Sequence, residues 1–183
     1  GKSMKYLTES GIRIPKGAKA AKIIFHRDLD GVFSAILTYN QLKKQGIPSK
    51  NIKLEGIQYG DTPKKVIKQL QGSKGQMVAL VDFAKIPTGA KRPDFWSDHH
   101  QPPEGVKKAE KGAKIGATEY GSDTEHIATV HAKNIADANT IKAVTKVDSA
   151  KYTNLKDVVN IKTDLKGKGR MERLAVLVNV MFS

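Results

Sequence analysis

Histidine and aspartate fall at the ends of short apolar runs in this chain. His26, Asp28 and Asp30 follow the run at Ala21–His26 (AKIIFH), Asp82 interrupts Gln76–Ala84 (QMVALVDFA), and Asp98, His99 and His100 follow Asp94–Ser97. If each run is a strand of one parallel sheet, these side chains gather beyond its carboxyl edge, where ligands of open α/β sheets bind. A backbone that stays extended over 26–30 would put His26, Asp28 and Asp30 on one face, because strand side chains alternate. Any one Asp at a strand end is most simply a helix cap or turn residue. So many acids together repel one another unless cations neutralise them. Carboxylate and imidazole donors without thiolate suit Mn²⁺ or Mg²⁺ better than structural zinc. Two such ions about 4 Å apart are suited to phosphate ester hydrolysis: they bind phosphate oxygens, generate hydroxide and stabilise the leaving oxygen. Asp148, in Val147–Ala150 (VDSA), is the candidate late carboxylate.

The elements that must hold these residues alternate along the chain. Ala21–His26 reads as a buried parallel strand. Gly31–Gln45 carries Val32, Ala35, Ile36, Tyr39 and Leu42 near a 3.6-residue period and ends at Gly46 and Pro48, so a helix is expected. Asn51–Tyr59 alternates as a strand, Thr62–Gln71 reads as a short amphipathic helix starting at Pro63, and Gln76–Ala84 is a further strand. Such alternation predicts an α/β fold, a mostly parallel sheet flanked by helices on both faces. From about Thr118 onward helices are expected, at Glu125–Ile135, Thr140–Val147, Tyr152–Asn160 and Met171–Phe182. The expected organisation is a lead-in over 1–20, a catalytic domain over 21–152 and a helical C-terminal segment over 153–183.

Composition narrows the partner. The 183 residues carry 32 Lys and Arg against 18 Asp and Glu, a formal net charge of +14. That excess points to a polyanion, nucleic acid before an anionic membrane. With the site acids and neighbouring Asp94 set aside, the remaining surface is more basic still, as suits a nucleic-acid strand running to an acidic, metal-filled site. The chain has no cysteine, which excludes a disulfide scaffold, thiolate zinc and thiol catalysis. Its apolar runs, such as Leu174–Val178, are far shorter than the roughly 20 residues of a membrane-spanning helix. The first residues lack the apolar stretch of a signal peptide, so a cytoplasmic location is expected. Other features read plainly. Gly1-Lys2-Ser3 lacks the strand and glycines of a P-loop. His126 and His131 lie about 140° apart on a helix and cannot share one ion, so packing or surface roles are expected. Phe95 and Trp96 have rings able to stack a base, but the simpler reading packs them against the sheet.

Four segments in order carry a resemblance: HRDLDG at 26–31, VDFA at 81–84, SDHH at 97–100 and VDSA at 147–150. Together they resemble the four motifs of the DHH phosphoesterase superfamily. This superfamily includes RecJ-like single-strand exonucleases, oligoribonucleases, phosphatases of cyclic dinucleotides and phosphoadenosine, and family II inorganic pyrophosphatases. The resemblance implies a DHH-type Rossmann-like domain with a dimanganese centre, Mg²⁺ or Co²⁺ being possible substitutes, that hydrolyses phosphodiester or phosphoanhydride bonds. It implies that His26, Asp28 and Asp82 hold one ion, and Asp30, Asp82, His99 and Asp148 the other. His100 then stabilises the scissile phosphate or protonates the leaving oxygen, and Asp98 orients an imidazole from outside the coordination sphere. The short H-x-D-x-D-G form leans toward exonuclease-like members. No glycine-rich signature ending in His follows Asp148, so a complete second substrate-binding domain is not expected. The leading expectation is a manganese-dependent phosphodiesterase of single-stranded nucleic acid or short oligonucleotides. A hydrolase of a small phosphate compound, or a nucleic-acid-binding subunit that has lost catalysis, stands as the alternative.

Overall fold

The computed structural model describes residues 11–100, 109–110, 113–114, 118–133, 135, 141 and 145. Its strands are β1 (Ala20–His26), β2 (Ile52–Ile57), β3 (Gln76–Val81), β4 (Phe95–Ser97) and the two-residue β5 (Ala109–Glu110) and β6 (Ala113–Lys114). Its helices are α1 (Leu29–Lys44), α2 (Pro63–Leu70) and α3 (Asp123–Val130). They form one sheet in the order β2-β1-β3-β4-β6-β5, with β5 antiparallel to β6 and every other pair parallel. The expected α/β architecture with helices flanking a mostly parallel sheet is therefore present. Asp148, most of the helix expected at Thr140–Val147, and the whole segment 153–183 lie outside the described residues.

Both faces of the central strands are apolar, as burial on both sides of a parallel sheet requires. Ile23, Phe25, Ala79 and Val81 point into one core with Val32, Phe33, Ile36 and Leu37 of α1 and Ile127 of α3. The alternate residues Ile24, Val78 and Leu80 point into a second core with Val66 and Leu70 of α2 and with Trp96. Each such side chain, once fully buried, contributes about 1.5–3 kcal/mol. The lead-in joins the first core: Ile12 is fully buried, and the Gln45 side chain pairs with its backbone N–H and C=O at 2.9 and 2.7 Å.

Several boundaries depart from the sequence reading. The helix opens at Leu29 rather than Gly31, because Asp28 caps it: its Oδ1 accepts the Gly31 N–H at 2.7 Å. The backbone over 26–30 is thus a strand-to-helix turn and not an extended segment. Gly31 is indispensable to that turn, since a Cβ there would sit 1.8 Å from the His26 carbonyl oxygen. β2 stops at Ile57, two positions short of Tyr59, and β3 at Val81, where the left-handed backbone of Asp82 (φ 54°) takes the chain out of the sheet. The helix expected over Glu125–Ile135 is the shorter α3, displaced toward its N-terminus by the Ser122 cap, whose hydroxyl accepts the Glu125 N–H. The chain leaves β1 toward β2 on one side and returns to β3 on the other. That reversal between β1 and β3 is where this sheet class opens a crevice.

Candidate metal centre

Strand register assembles the site. Phe25 of β1 lies beside Val81 of β3, which lies beside Ser97 of β4. The next residue on each strand is His26, Asp82 and Asp98, so three distant sequence positions stand in one row at the carboxyl edge. The α1 turn folds Asp28 and Asp30 over the same edge, and His99 and His100 follow Asp98. The predicted residues other than Asp148, which lies outside the described residues, therefore stand at one edge, brought there through the turn rather than through an extended face.

Asp82 is the hub. His26 Nδ1 lies 3.1 Å from Asp28 Oδ2 and 3.7 Å from Asp82 Oδ2, and these three side chains form one group with metal-ligand spacing. On the other side, His99 Nε2 lies 3.8 Å and His100 Nδ1 4.0 Å from Asp82 Oδ1, forming a second such group. One carboxylate thus offers an oxygen to each group. Asp82 is fully buried, yet neither of its oxygens has a hydrogen-bond donor, and His26 Nδ1 is likewise out of hydrogen-bonding geometry. Buried polar groups are almost always satisfied, so orphaned acceptors at one point signal a missing electropositive partner. Burial, and then the charges of Asp30, Asp28 and Asp123, push the Asp82 carboxyl well above the usual carboxylate range. The pKa of Asp28 moves the other way: burial alone would raise it, but the His26 imidazole, the neighbouring Asp82 carboxyl and the Gly31 N–H outweigh burial and lower it. Two divalent cations would relieve the orphaned oxygens and the mutual repulsion together, so the donor set fits the expected metals.

Asp30 is held differently from the rest. It is fully buried against the start of α3, where Oδ2 accepts the Asp123 N–H and Oδ1 accepts the N–H and hydroxyl of Thr124. A carboxylate is favoured there by the helix dipole and the free N–H groups. Each carboxylate oxygen has about two acceptor positions. Oδ2 therefore keeps one, and it is the oxygen 3.5 Å from His99 Nε2. Asp98 spends both oxygens on His100, one on its backbone N–H at 2.9 Å and one on ring Nδ1 at 2.7 Å. The ring of His100 is thereby fixed, with Nε2 at its far corner.

Sequence reading missed Asp123. Its Oδ2 accepts the Asp82 N–H at 2.9 Å, while Oδ1 accepts the Ser97 hydroxyl at 2.7 Å and lies 3.3 Å from His126 Nδ1. The Asp82 N–H is shared with the Ser97 carbonyl. Asp123 thus helps hold Asp82 in a left-handed conformation of the kind that collects at functional sites. Burial, with Asp30 and Asp98 nearby, raises its own pKa despite the His126 ring. The acid was hidden inside Ser122–Glu125 (SDTE), which reads as an ordinary capping box; the overlooked signal was His126 one turn on. His126 and His131 do have packing roles, His126 stacked on Tyr120 and His131 edge-on to Phe95. Phe95 and Trp96 are buried in the two cores, and the Trp96 indole donates to the Phe83 carbonyl at 2.7 Å. Among the described residues no helix is long and apolar enough to cross a membrane. Comparison with protein-family models and with curated proteins finds no match for the chain.

Proposed function

We propose that the protein is a divalent-metal-dependent phosphodiesterase that cleaves single-stranded nucleic acid or short oligonucleotides in the cytoplasm. On this reading the α/β core is a DHH-type domain, and 153–183 is its helical C-terminal segment. The observation that carries the proposal is Asp82, a buried carboxylate without donors, shared by two groups of metal-ligand spacing. His26, Asp28 and Asp82 would hold one Mn²⁺. Asp30, Asp82 and His99 would hold the other, with Asp148 supplied from the sequence motif. When bound, such a pair supplies Lewis acidity and a water of lowered pKa.

The chain's own residues do the rest. The Asp123 carboxylate and Ser97 carbonyl both accept the Asp82 N–H and so hold its backbone between the two groups. Asp98 holds His100 at Nδ1, and the imidazole so oriented would stabilise or protonate a departing oxygen. The net charge of +14 supports a polyanionic substrate.

Incubating end-labelled DNA and RNA strands with Mn²⁺, beside dinucleotides, cyclic dinucleotides and pyrophosphate, tests the proposal. Mononucleotide release that disappears with chelator and in Asp82→Ala is expected, with steep salt dependence on the longer strands. Strands left intact while a small phosphate compound is hydrolysed would move the assignment to that substrate, and tight binding without turnover would reduce the protein to a binding subunit.

A further inference from the structure

Tyr59 is the one large hydrophobic side chain exposed among the described residues, at 44 %. It stands beside the metal centre rather than at random on the surface. Its ring stacks on Phe83 at a centroid distance of 4.3 Å and 20° between planes, and its hydroxyl accepts the Ala84 N–H at 3.2 Å. One face and the hydroxyl are thus pinned. The His26 ring lies 5.0 Å from Tyr59 and 6.1 Å from Phe83. Were His26 over the outer face of Tyr59, its distance from Phe83 would approach the two other separations combined. The observed triangle puts it nearly at a right angle to the Tyr59–Phe83 axis, against the ring edge. The face turned away from Phe83 therefore carries the exposure, and it borders a proposed metal ligand. A rigid, pre-oriented ring is what a base needs to stack with little loss of side-chain entropy.

We propose that the outer face of Tyr59 is the stacking platform for the base of the nucleotide whose phosphate sits at the Asp82 centre. This inference rests on the phosphodiesterase reading. Base stacking of this kind is worth about five- to a hundredfold. The test compares short single strands with the same strands bearing abasic tetrahydrofuran nucleotides at both ends, each cleaved by the full chain with Mn²⁺. Wild type is expected to prefer the based strand by such a factor in kcat/KM. Tyr59→Ala brings the ratio near one, and Tyr59→Trp retains it. A wild-type ratio near one, or Tyr59→Ala losing both strands alike, overturns the platform and leaves the phosphodiesterase standing. Failure of wild type to cleave either strand overturns both.

Discussion

Replacing Asp82 by Asn separates the charge of this residue from its shape. Asn is nearly isosteric and tolerates the left-handed backbone that Asp82 adopts at φ 54°. What the exchange removes is a carboxylate buried without donors and pushed well above its ordinary 3.8 by burial and by Asp30, Asp28 and Asp123. A carboxyl whose pKa is raised on folding stabilises nothing as the pH climbs. Its penalty is absent below the unfolded value near 3.8 and grows with pH until the folded value is passed. In chelator, Asp82→Asn should therefore be more stable than wild type at pH 7, by a margin that widens as the pH rises from 4. The gap should close near pH 4. Mn²⁺ works against that gap: at a hundred times its Kd it stabilises wild type by about 2.7 kcal/mol and leaves the variant unmoved. Thermal unfolding from pH 4 to 8, with chelator and with Mn²⁺, measures all three quantities. A variant less stable than wild type by the same amount at every pH would refute the reasoning, since Asp82 would then be held by the fold rather than by an absent cation.

Other outcomes follow from the same geometry. Asp123→Ala leaves the buried Asp82 N–H with only the Ser97 carbonyl and the Ser97 hydroxyl without its carboxylate, so denaturant unfolding should show a loss of about 2–4 kcal/mol. Calorimetry on the same variant should show weaker Mn²⁺ binding. Gly31→Ala drives a methyl into the His26 carbonyl at 1.8 Å, and opening the turn to admit it should cost about 3 kcal/mol or more while displacing His26 and Asp28. The Tyr59 phenol is raised to about 12 by burial and then by Asp98, Asp82 and Asp28. One of the 5 tyrosines should thus titrate late in ultraviolet absorbance, and Mn²⁺ loading should bring it down as cations offset those carboxylates. Mn²⁺ affinity should itself rise with pH, because the ion competes with the proton on Asp82.

The α/β class, both faces of the sheet and the grouping of His26, Asp28, Asp82, His99 and His100 were legible in the chain. Short continuous apolar runs ending in Asp or His and alternating with helical segments read as buried parallel strands with polar carboxyl edges, and register does the remainder. Asp30 was read as a metal ligand but not as the cap of α3, ninety-odd positions away, because nothing local records which helix start will dock on it. Asp123 was misread for the complementary reason. An acid after a capping serine is satisfied locally in most helices, and only the docking of α3 on α1, which sets its first turn against Asp82 and Ser97, turns it inward. The aromatic residues show the same division. Phe95 and Trp96 flank the DHH triplet in sequence yet point into the two cores, whereas Tyr59 follows an unremarkable strand and borders the site. Sequence by itself determined which residue types lie at the carboxyl edge, because alternation and apolar length govern strand burial. Tertiary structure alone decided that Asp82 stands between two groups with no donor of its own. That arrangement depends on the left-handed turn after β3 and on a helix start brought from the far end of the described chain.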